Sequence, residues 1–219
     1  MLRAILFDLD GTLVDSLDDI TGALVRALAD HGLPAPDRET VRTWVGAGSR
    51  NLIAHAVAPE LVDPVLERFR VHYAAAPVVH TALYPGIADV LDAIVADGTA
   101  LAILSNKPHA LTVTVAERLL APWPFQLVHG HREGVPLKPD PTAALAIAET
   151  LGVSPDACAF VGDSNVDVLT GRAAGMTSIA VSWGFRPRAE LEATGPSLLV
   201  DTPHALLHHL RSGAHVGGP

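Results

Sequence analysis

Two aspartates stand directly after an apolar run near the start of the chain, in the segment ILFDLDGTLVDS at residues 5–16. Side chains two residues apart in an extended segment point the same way, so Asp8 and Asp10 should face one pocket just past a strand end. Gly11 and Thr12 then let the chain turn, and both are candidates to contact a phosphate held there. Two solvated loop acids would produce the same pattern, so this pair alone leaves a structural interpretation open.

Polar side chains also follow three later apolar stretches. In LSNKP, Ser105 and Asn106 offer a hydroxyl and an amide, which are good neutral donors to the oxygens of an anion. In LKPDP, Lys138 stands just before a predicted helix. In FVGDSNVD, Asp163 and Asp167 are four residues apart and share a face if a helix begins at once. Each segment is a weak signal alone, but all fall where parallel strands are predicted to end, and one pocket could collect them.

The charge in such a pocket indicates a metal ion. Asp8, Asp10, Asp163 and Asp167 would bring four carboxylates within a few ångströms of one another. Repulsion at such distances is worth several kcal/mol at an effective dielectric constant of about 20, so the cluster requires a cation. Oxygen ligands favour a hard cation, and we expect Mg²⁺. With Lys138 as a further positive charge and neutral donors beside it, the site suits a phosphoryl group.

The elements that would position these residues alternate along the chain. Near-continuous apolar strands between amphipathic helices predict an α/β fold, a Rossmann-like, doubly wound parallel sheet with helices on both faces. Such sheets bind ligands beyond the carboxyl ends of their strands. The six predicted strands are 3–7, 99–105, 125–130, 157–162, 177–183 and 197–200.

One long stretch interrupts the alternation. Residues 16–80 show helical patterns and no strand signal; Leu17–His31, for example, carries one apolar face and ends at Gly32. We therefore expect a small inserted α-helical cap domain at 16–80 and a Rossmann-like core domain formed by 1–15 and 81–219.

The composition limits the partners of this 219-residue chain. Acidic residues outnumber basic ones by 24 to 15, and the formal net charge is −9, so we expect no nucleic acid partner. A single cysteine, Cys158, excludes an intramolecular disulfide and a thiolate zinc cluster. No apolar run approaches the length of about 18 residues that a membrane helix needs, so we expect no membrane partner. We expect a cytoplasmic protein that acts on a small phosphorylated metabolite, and a homodimer is compatible with the sequence.

The four polar segments together resemble the motifs of the haloacid dehalogenase-like superfamily. DLDGTLVDS is similar to its first motif, LSNK to its second, Lys138 to its third and GDSNVD to its fourth, in that order and across nearly the whole chain. The resemblance implies that Asp8 is the nucleophile that becomes an aspartyl phosphate. It also implies that Asp10 protonates the leaving oxygen and then activates water, while Ser105 and Lys138 hold the phosphate.

The same resemblance implies a Mg²⁺ site and a reaction class. Mg²⁺ would be bound by the side chains of Asp8 and Asp163 and by the backbone carbonyl of Asp10. Asp167 would act through a water molecule or on the groups that bind the metal, and would orient Lys138. Asp10 favours phosphate esters over dehalogenation, because a leaving halide needs no proton. The predicted cap contains no lysine, which sets aside carbon–phosphorus bond cleavage through a cap Schiff base.

Within the superfamily, the most detailed resemblance is to the phosphoglycolate phosphatases. RTWVGAGSRNLI resembles the glycine-containing specificity loop of their cap, and LYPGI, SNKP, GRAAGM and VSWGF also fit that group. Gly46 and Gly48 would let the backbone approach a small substrate closely. Arg50 is a candidate to bind the carboxylate of 2-phosphoglycolate, with a solvated position at a helix start as the alternative. A β-phosphoglucomutase-like transferase, a phosphatase for sugar phosphates, nucleotides or pyrophosphate, and an inactive binding relative stay open as other functions.

Overall fold

The computed structural model describes residues 2–212. In chain order the strands are β1 (Ala4–Phe7), β2 (Val14–Asp15), β3 (Ala82–Leu83), β4 (Ala100–Pro108), β5 (Phe125–His131), β6 (Cys158–Gly162), β7 (Thr177–Val181) and β8 (Leu198–Val200). The helices are α1 (Leu17–Ala29), α2 (Arg38–Trp44), α3 (Ser49–Ala56), α4 (Val62–Ala75), α5 (Ile87–Ala96), α6 (His109–Leu119), α7 (Thr142–Leu151), α8 (Asn165–Ala173), α9 (Arg188–Thr194) and α10 (Pro203–Ser212).

Six strands form one parallel sheet in the order β5–β4–β1–β6–β7–β8. The first strand of the chain is therefore central, and the later strands are added outward on both of its sides, which is the doubly wound arrangement. The predicted α/β fold is confirmed, and each of the six predicted strands is present. Phe7 lies in register with Ile103 on one side and with Val161 on the other. The polar residues that follow β1 and β6 and those in the last part of β4 therefore lie at one edge of the sheet.

The burial of β1 explains why its sequence is a continuous apolar run. All four of its residues are buried. Ile5 and Phe7 belong to an apolar cluster that includes Val90 of α5, whereas Leu6 belongs to a second cluster with Ile147 of α7. Because helices cover both faces of the strand, both sets of alternate positions require apolar side chains.

Helices α1 to α4, called here the inserted helices, lie between β2 and β3 in the sequence. They share a separate apolar cluster that includes Leu24, Ile53 and Phe69, and Leu111 and Phe185 of the sheet domain also belong to it. The observed helices agree with the helical pattern of this stretch, while the division at 15/16 and 80/81 stays a prediction. No helix within residues 2–212 combines the length and the apolar character that crossing a bilayer requires.

A two-stranded antiparallel ribbon marks the points where the chain leaves and rejoins the sheet domain. Val14 pairs with Leu83 and Asp15 with Ala82. The sequence pattern does not reveal this ribbon, because two-residue strands are too short to show alternation. The buried Asp19 carboxylate reinforces the junction by accepting hydrogen bonds from the backbone N–H groups of 79–81 at 2.9–3.1 Å.

Candidate active site

Asp8 follows β1 directly and is buried at the carboxyl edge of the sheet. Its backbone N–H continues the sheet by donating to the carbonyl of Val161 at 2.9 Å. Its Oδ1 accepts a hydrogen bond from the N–H of Leu9 at 2.7 Å and lies 3.0 Å from Nζ of Lys138. Burial raises the pKa of Asp8 to about 6, although Lys138 opposes this change. The Lys138 ammonium therefore favours the ionised form of Asp8, and this is the form that can attack phosphorus.

Three buried carboxylates meet at this edge. One ligand oxygen from each of Asp8, Asp163 and Asp167 lies within 4.8 Å of the others. Asp163 accepts hydrogen bonds from the Thr12 hydroxyl at 3.1 Å and from the N–H of Phe185 at 2.7 Å. Burial, followed by the charges of Asp167 and Asp8, raises the pKa of Asp163 to about 8. Carboxylates that are buried this close together, with their pKa values shifted upward, favour binding of a cation that offsets their mutual repulsion.

Asp163 itself provides the test of whether a metal ion fits. Asp163 is 2% exposed, and no lysine or arginine within residues 2–212 forms an ion pair with it. A buried carboxylate with only neutral donors is costly unless a cation compensates it. The oxygen-only donor set of Asp163 and Asp8 suits Mg²⁺. These residues therefore fit the metal ion expected from the sequence.

Two glycines make room for the Asp163 carboxylate. Gly11 has φ of +85°, and a Cβ at this position would overlap the carboxylate of Asp163. A Cβ at Gly184 would meet Asp163 and the carbonyl of Gly11. The turn after β1 and the loop after β7 therefore approach this carboxylate more closely than any residue with a side chain could. Gly11 thus shapes the site through its backbone.

Asp167 is held from both of its oxygens. Oδ1 lies 2.6 Å from Nζ of Lys138, and Oδ2 accepts hydrogen bonds from the N–H and the hydroxyl of Ser164. Ser164 and Asp167 form a capping box at the start of α8, so the helix start fixes the direction of the carboxylate. Asp167 thereby places the Lys138 ammonium against Asp8.

Lys138 is 5% exposed and lies between two carboxylates. Burial lowers the pKa of Lys138, but Asp167 and Asp8 more than offset this, so the net shift is upward and the side chain stays charged. Asn106 holds the backbone of this residue: its Oδ1 accepts from the N–H of Lys138 at 2.8 Å, and its Nδ2 donates to the Lys138 carbonyl at 3.1 Å. The Asn106 amide also donates to the carbonyl of Gly46. The sequence predicts that the Asn106 amide donates to an anion. In the structure this amide is hydrogen-bonded to backbone groups of Lys138 and Gly46 instead.

Asp10 lies outside the carboxylate cluster. Its Oδ1 accepts a 2.6 Å hydrogen bond from the Ser16 hydroxyl, and both of its oxygens lie within 2.9 Å of Nζ of Lys107. This placement is compatible with the expected metal contact, which uses the backbone carbonyl of Asp10. Asp10 instead presents its carboxylate to a cavity between the sheet edge and the inserted helices.

Lys107 is a site residue that the sequence reasoning missed, although LSNKP contains it. In the sequence, LSNKP offers neutral donors at Ser105 and Asn106, and nothing in the local pattern distinguishes Lys107 from a solvated lysine. One signal could have found it: the sequence contains only two lysines, Lys107 and Lys138. Both are buried, at 6% and 5% exposure, and both pair with aspartates of the site.

The cavity lies between the sheet edge and the inserted helices, and its volume is about 450 Å³ when the open solvent at its mouth is included. Asp8, Asp10, Ser105 and Lys107 form its base on the sheet side. The inserted helices supply an opposite wall that is mostly apolar and small, formed by Ile20, Val45, Gly46, Gly48, Ser49, Leu52, Phe69 and Tyr73. The glycine loop predicted to approach a substrate does line the cavity.

Arg50 and Trp44 do not line this cavity. Arg50 is exposed and forms an ion pair with Asp63 on the outer side of the inserted helices. Trp44 stacks on the ring of His55 with centroids 5.8 Å apart. The structure therefore does not bring Arg50 to the other candidate residues, because position 50 faces outward from the first turn of α3.

Two arginines join the inserted helices to the sheet domain beside the site. Arg42 donates to the carbonyl of Gly184 at 2.7 Å, and Arg186 donates to the carbonyls of Arg42 and Val45 at 3.1 and 2.5 Å. In the segment FRPRAE, Arg186 makes this contact and α9 begins at Arg188. This contact holds the glycine loop of the inserted helices over the cavity.

Comparisons with known proteins agree with this geometry. The family model described as haloacid dehalogenase-like hydrolase matches residues 5–181. Phosphoglycolate phosphatase 1 of Pseudomonas aeruginosa is 34% identical over 214 residues, which cover 94% of this chain and 78% of the relative. The phosphoglycolate phosphatase of Aquifex aeolicus is 34% identical over 206 residues, which cover 94% and 95%. A crystal structure of a candidate phosphoglycolate phosphatase from Lactobacillus delbrueckii subsp. bulgaricus has 30% identity and a TM-score of 0.89, and the match covers 95% and 98%. The chain therefore belongs to the haloacid dehalogenase-like hydrolases.

Proposed function

We propose that this chain is a Mg²⁺-dependent phosphomonoester hydrolase that acts through an aspartyl phosphate on Asp8, with 2-phosphoglycolate as its substrate. The observation that carries the proposal is the buried cluster in which Lys138 bridges Asp8 and Asp167 while Asp163 stands beside them. A phosphoryl group placed over Asp8 would meet an ammonium, the Ser105 hydroxyl and the metal position. The site therefore combines a nucleophile with positive charge for the phosphoryl oxygens.

The first half of the reaction uses both aspartates of the first segment. One oxygen of Asp8 is held by Leu9 and Lys138, so the other oxygen, Oδ2, attacks phosphorus and forms the acyl phosphate. The bond from phosphorus to the ester oxygen breaks, and this oxygen takes a proton from Asp10 to leave as an alcohol. Lys138 stays charged and stabilises the phosphoryl oxygens throughout.

The second half returns the enzyme to its starting state. Asp10, now a carboxylate, removes a proton from a water molecule, and the resulting hydroxide attacks phosphorus. The bond from phosphorus to the Asp8 oxygen breaks, which releases inorganic phosphate and restores both groups. Mg²⁺, when held by Asp8, Asp163 and the backbone carbonyl of Asp10, would supply positive charge to the transferring group. The Ser16 hydroxyl fixes the orientation of Asp10 for both proton transfers.

The substrate assignment is supported by the size and lining of the cavity and by the relatives. Two relatives that are 34% identical to this chain are phosphoglycolate phosphatases. The cavity between Asp8 and the inserted helices is small and has an apolar wall with two glycines. A short two-carbon ester fits such a space better than a nucleotide does.

The test is a substrate panel measured by phosphate release from the full chain, with Mg²⁺ and with a chelator. We expect 2-phosphoglycolate to have the highest kcat/KM, and we expect the chelator to abolish turnover. Asp8→Asn should remove all activity while the protein stays folded by circular dichroism. Asp10→Asn should lower kcat by about 10²- to 10⁴-fold. Near-normal turnover of the Asp10 variant would remove this residue from the mechanism.

The panel also separates the alternatives. Much faster hydrolysis of a sugar phosphate, a nucleotide or pyrophosphate would overturn the substrate assignment and keep the reaction class. Conversion of β-glucose 1-phosphate to glucose 6-phosphate without phosphate release would indicate a mutase. Absence of phosphate release from every ester would refute the proposed reaction.

A further inference from the structure

Lys107 is the one cation among the described residues that line the cavity. Lys138 is not among these lining residues; it pairs with Asp8 and Asp167, and in the proposed reaction it serves the phosphoryl group. If the substrate carries a second anionic group, as a phosphorylated carboxylic acid does, that group must also find positive charge inside the cavity. Lys107 is the residue that can supply it.

The contacts of Lys107 leave a second donor beside it. Nζ lies 2.9 and 2.8 Å from the two oxygens of Asp10, donates to the hydroxyl oxygen of Tyr73 and lies 4.5 Å from the centre of the Tyr73 ring. An ammonium has no acceptor, so the Tyr73 oxygen accepts and its own hydrogen stays available to an anion. Burial raises the pKa of Tyr73 to about 12, so the hydroxyl keeps this hydrogen at neutral pH.

The surroundings strengthen an ion pair at this position. Ile20, Leu52 and Phe69 form the neighbouring cavity wall, and the Lys107 side chain is 3% exposed. Attraction between opposite charges grows as water is excluded. An anion delivered here therefore competes with Asp10 for the same ammonium.

We infer that Lys107 and Tyr73 bind the carboxylate of a small phosphorylated acid, and that this carboxylate draws the Lys107 ammonium away from Asp10. The inference rests on the proposed phosphatase function and names the group that selects its substrate. In the free protein the ammonium holds both oxygens of Asp10. A substrate with a carboxylate separates the ammonium from Asp10 and leaves the Asp10 oxygens free to face the ester oxygen of the substrate. An ester without a second anionic group leaves Asp10 paired with Lys107, so substrate selection and the freedom of the Asp10 side chain depend on one lysine.

This assignment replaces Arg50 as the group for the carboxylate. Arg50 is exposed and paired with Asp63, and it does not line the cavity. The two basic residues can therefore be compared by the same substitution, and Arg50→Met is the matched control for Lys107→Met. Tyr73→Phe removes the second donor and keeps the ring.

The first experiment measures a ratio of kcat/KM values with Mg²⁺. The two substrates are 2-phosphoglycolate and 2-phosphoglycolamide, in which a neutral amide replaces the carboxylate. We expect Lys107→Met to lower this ratio about 10- to 100-fold, because a hydrogen bond to a charged group is lost, and we expect Tyr73→Phe to lower it less. Arg50→Met should keep the wild-type ratio. A lysine with a merely structural role would reduce both rates and leave the ratio unchanged.

The second experiment does not depend on the folding of Lys107→Met. Because the chain has two lysines, protein with ¹³C-labelled lysine side chains gives two resonances, which Lys138→Met assigns. In Asp8→Asn protein with Mg²⁺, 2-phosphoglycolate should shift both resonances, whereas 2-phosphoglycolamide should shift that of Lys138 more than that of Lys107. Equal shifts of Lys107 with both ligands would overturn the inference.

The outcomes distinguish this inference from the proposed function. Hydrolysis of both esters with a ratio that Lys107→Met leaves unchanged would overturn the carboxylate site and keep the phosphatase. A ratio that falls in Arg50→Met and not in Lys107→Met would return the assignment to Arg50. Hydrolysis of neither ester by the wild-type protein would refute the proposed substrate itself.

Discussion

The Lys138 ammonium is the group whose removal should disturb this protein most, and Lys138→Met tests it. Nζ lies 2.6 Å from Oδ1 of Asp167 and 3.0 Å from Oδ1 of Asp8, and the side chain is 2% exposed. At an effective dielectric constant of about 20, each of these attractions is worth about 6 kcal/mol before the cost of burying the charges. Methionine keeps a similar stem beside the ring of Phe160, which lies 5.5 Å from Nζ. The substitution therefore removes the charge with little loss of packing.

The expected loss of stability follows from leaving carboxylates buried without their partner. Removing one member of a buried ion pair typically costs about 3–5 kcal/mol of unfolding free energy. For a chain of this size, such a loss lowers Tm by roughly 6 to 20 °C. The measurements are urea unfolding and thermal melting at pH 7.5 with a chelator present. Arg50→Met, which removes an exposed cation, is the control and should change Tm little.

The pH dependence gives the reasoning a second check. Burial raises the pKa of Asp8 to about 6 even with Lys138 in place, and without the ammonium it should rise further. A carboxyl group whose folded pKa lies above its unfolded value takes up a proton on folding, so the folded state gains stability as the pH falls. The deficit of Lys138→Met should therefore be largest above pH 7 and shrink toward pH 5. A variant that unfolds within about 1 kcal/mol of the wild type at every pH would refute the assigned electrostatics.

Three further predictions concern other parts of the same structure. Mg²⁺ should bind more tightly as the pH rises toward 8, because burial and neighbouring charges raise the pKa of Asp163 to about 8 and the metal must displace that proton. Calorimetry in two buffers measures the released proton, and the Asp163→Asn variant should lose this pH dependence. Gly11→Ala should lower both Mg²⁺ affinity and stability, the latter by about 1–2 kcal/mol, because φ is +85° and the new Cβ would overlap the Asp163 carboxylate; wild-type melting and metal titration curves would contradict it. Asp19→Ala should cost about 2 kcal/mol in urea unfolding, because it leaves the N–H groups of 79–81 without their acceptor. The hydrogen bonds from the Thr81 hydroxyl and from these N–H groups outweigh burial and lower the pKa of Asp19. The difference in unfolding free energy between wild type and Asp19→Ala should therefore persist at pH 5 and disappear only as the pH falls below the usual pKa range of an aspartate.

The parts of the fold that could be predicted are those encoded by local pattern. β1 and β6 are apolar at every position because helices cover both of their faces, and α1 repeats its apolar face over 13 residues. Such periodic patterns predict a strand or a helix from a short segment alone, whatever the rest of the chain contains. The β2–β3 ribbon did not leave such a signal, because each strand has two residues and depends on pairing across about 70 positions of sequence.

The site was only partly predictable, because its side chains are shared among several segments. The sequence placed Asp8, Asp163 and Lys138 at strand ends, and the structure brings them together. It could not reveal that the amide of Asn106 is occupied by backbone groups of two loops. Nor could it show that position 50 faces outward, since that depends on how α3 packs against the other inserted helices.

The sequence by itself determined the strand order along the chain, the acidic and basic residues available at the strand ends and the class of chemistry that they can perform. Only the tertiary structure decided which charge neutralises which: Lys138 pairs with Asp8 and Asp167, and Lys107 pairs with Asp10 across 97 positions of sequence. The physical reason is that a buried charge must find its partner in space. That partner depends on which strands are neighbours in the sheet and on where the inserted helices close over it, and no local pattern of residues contains that information.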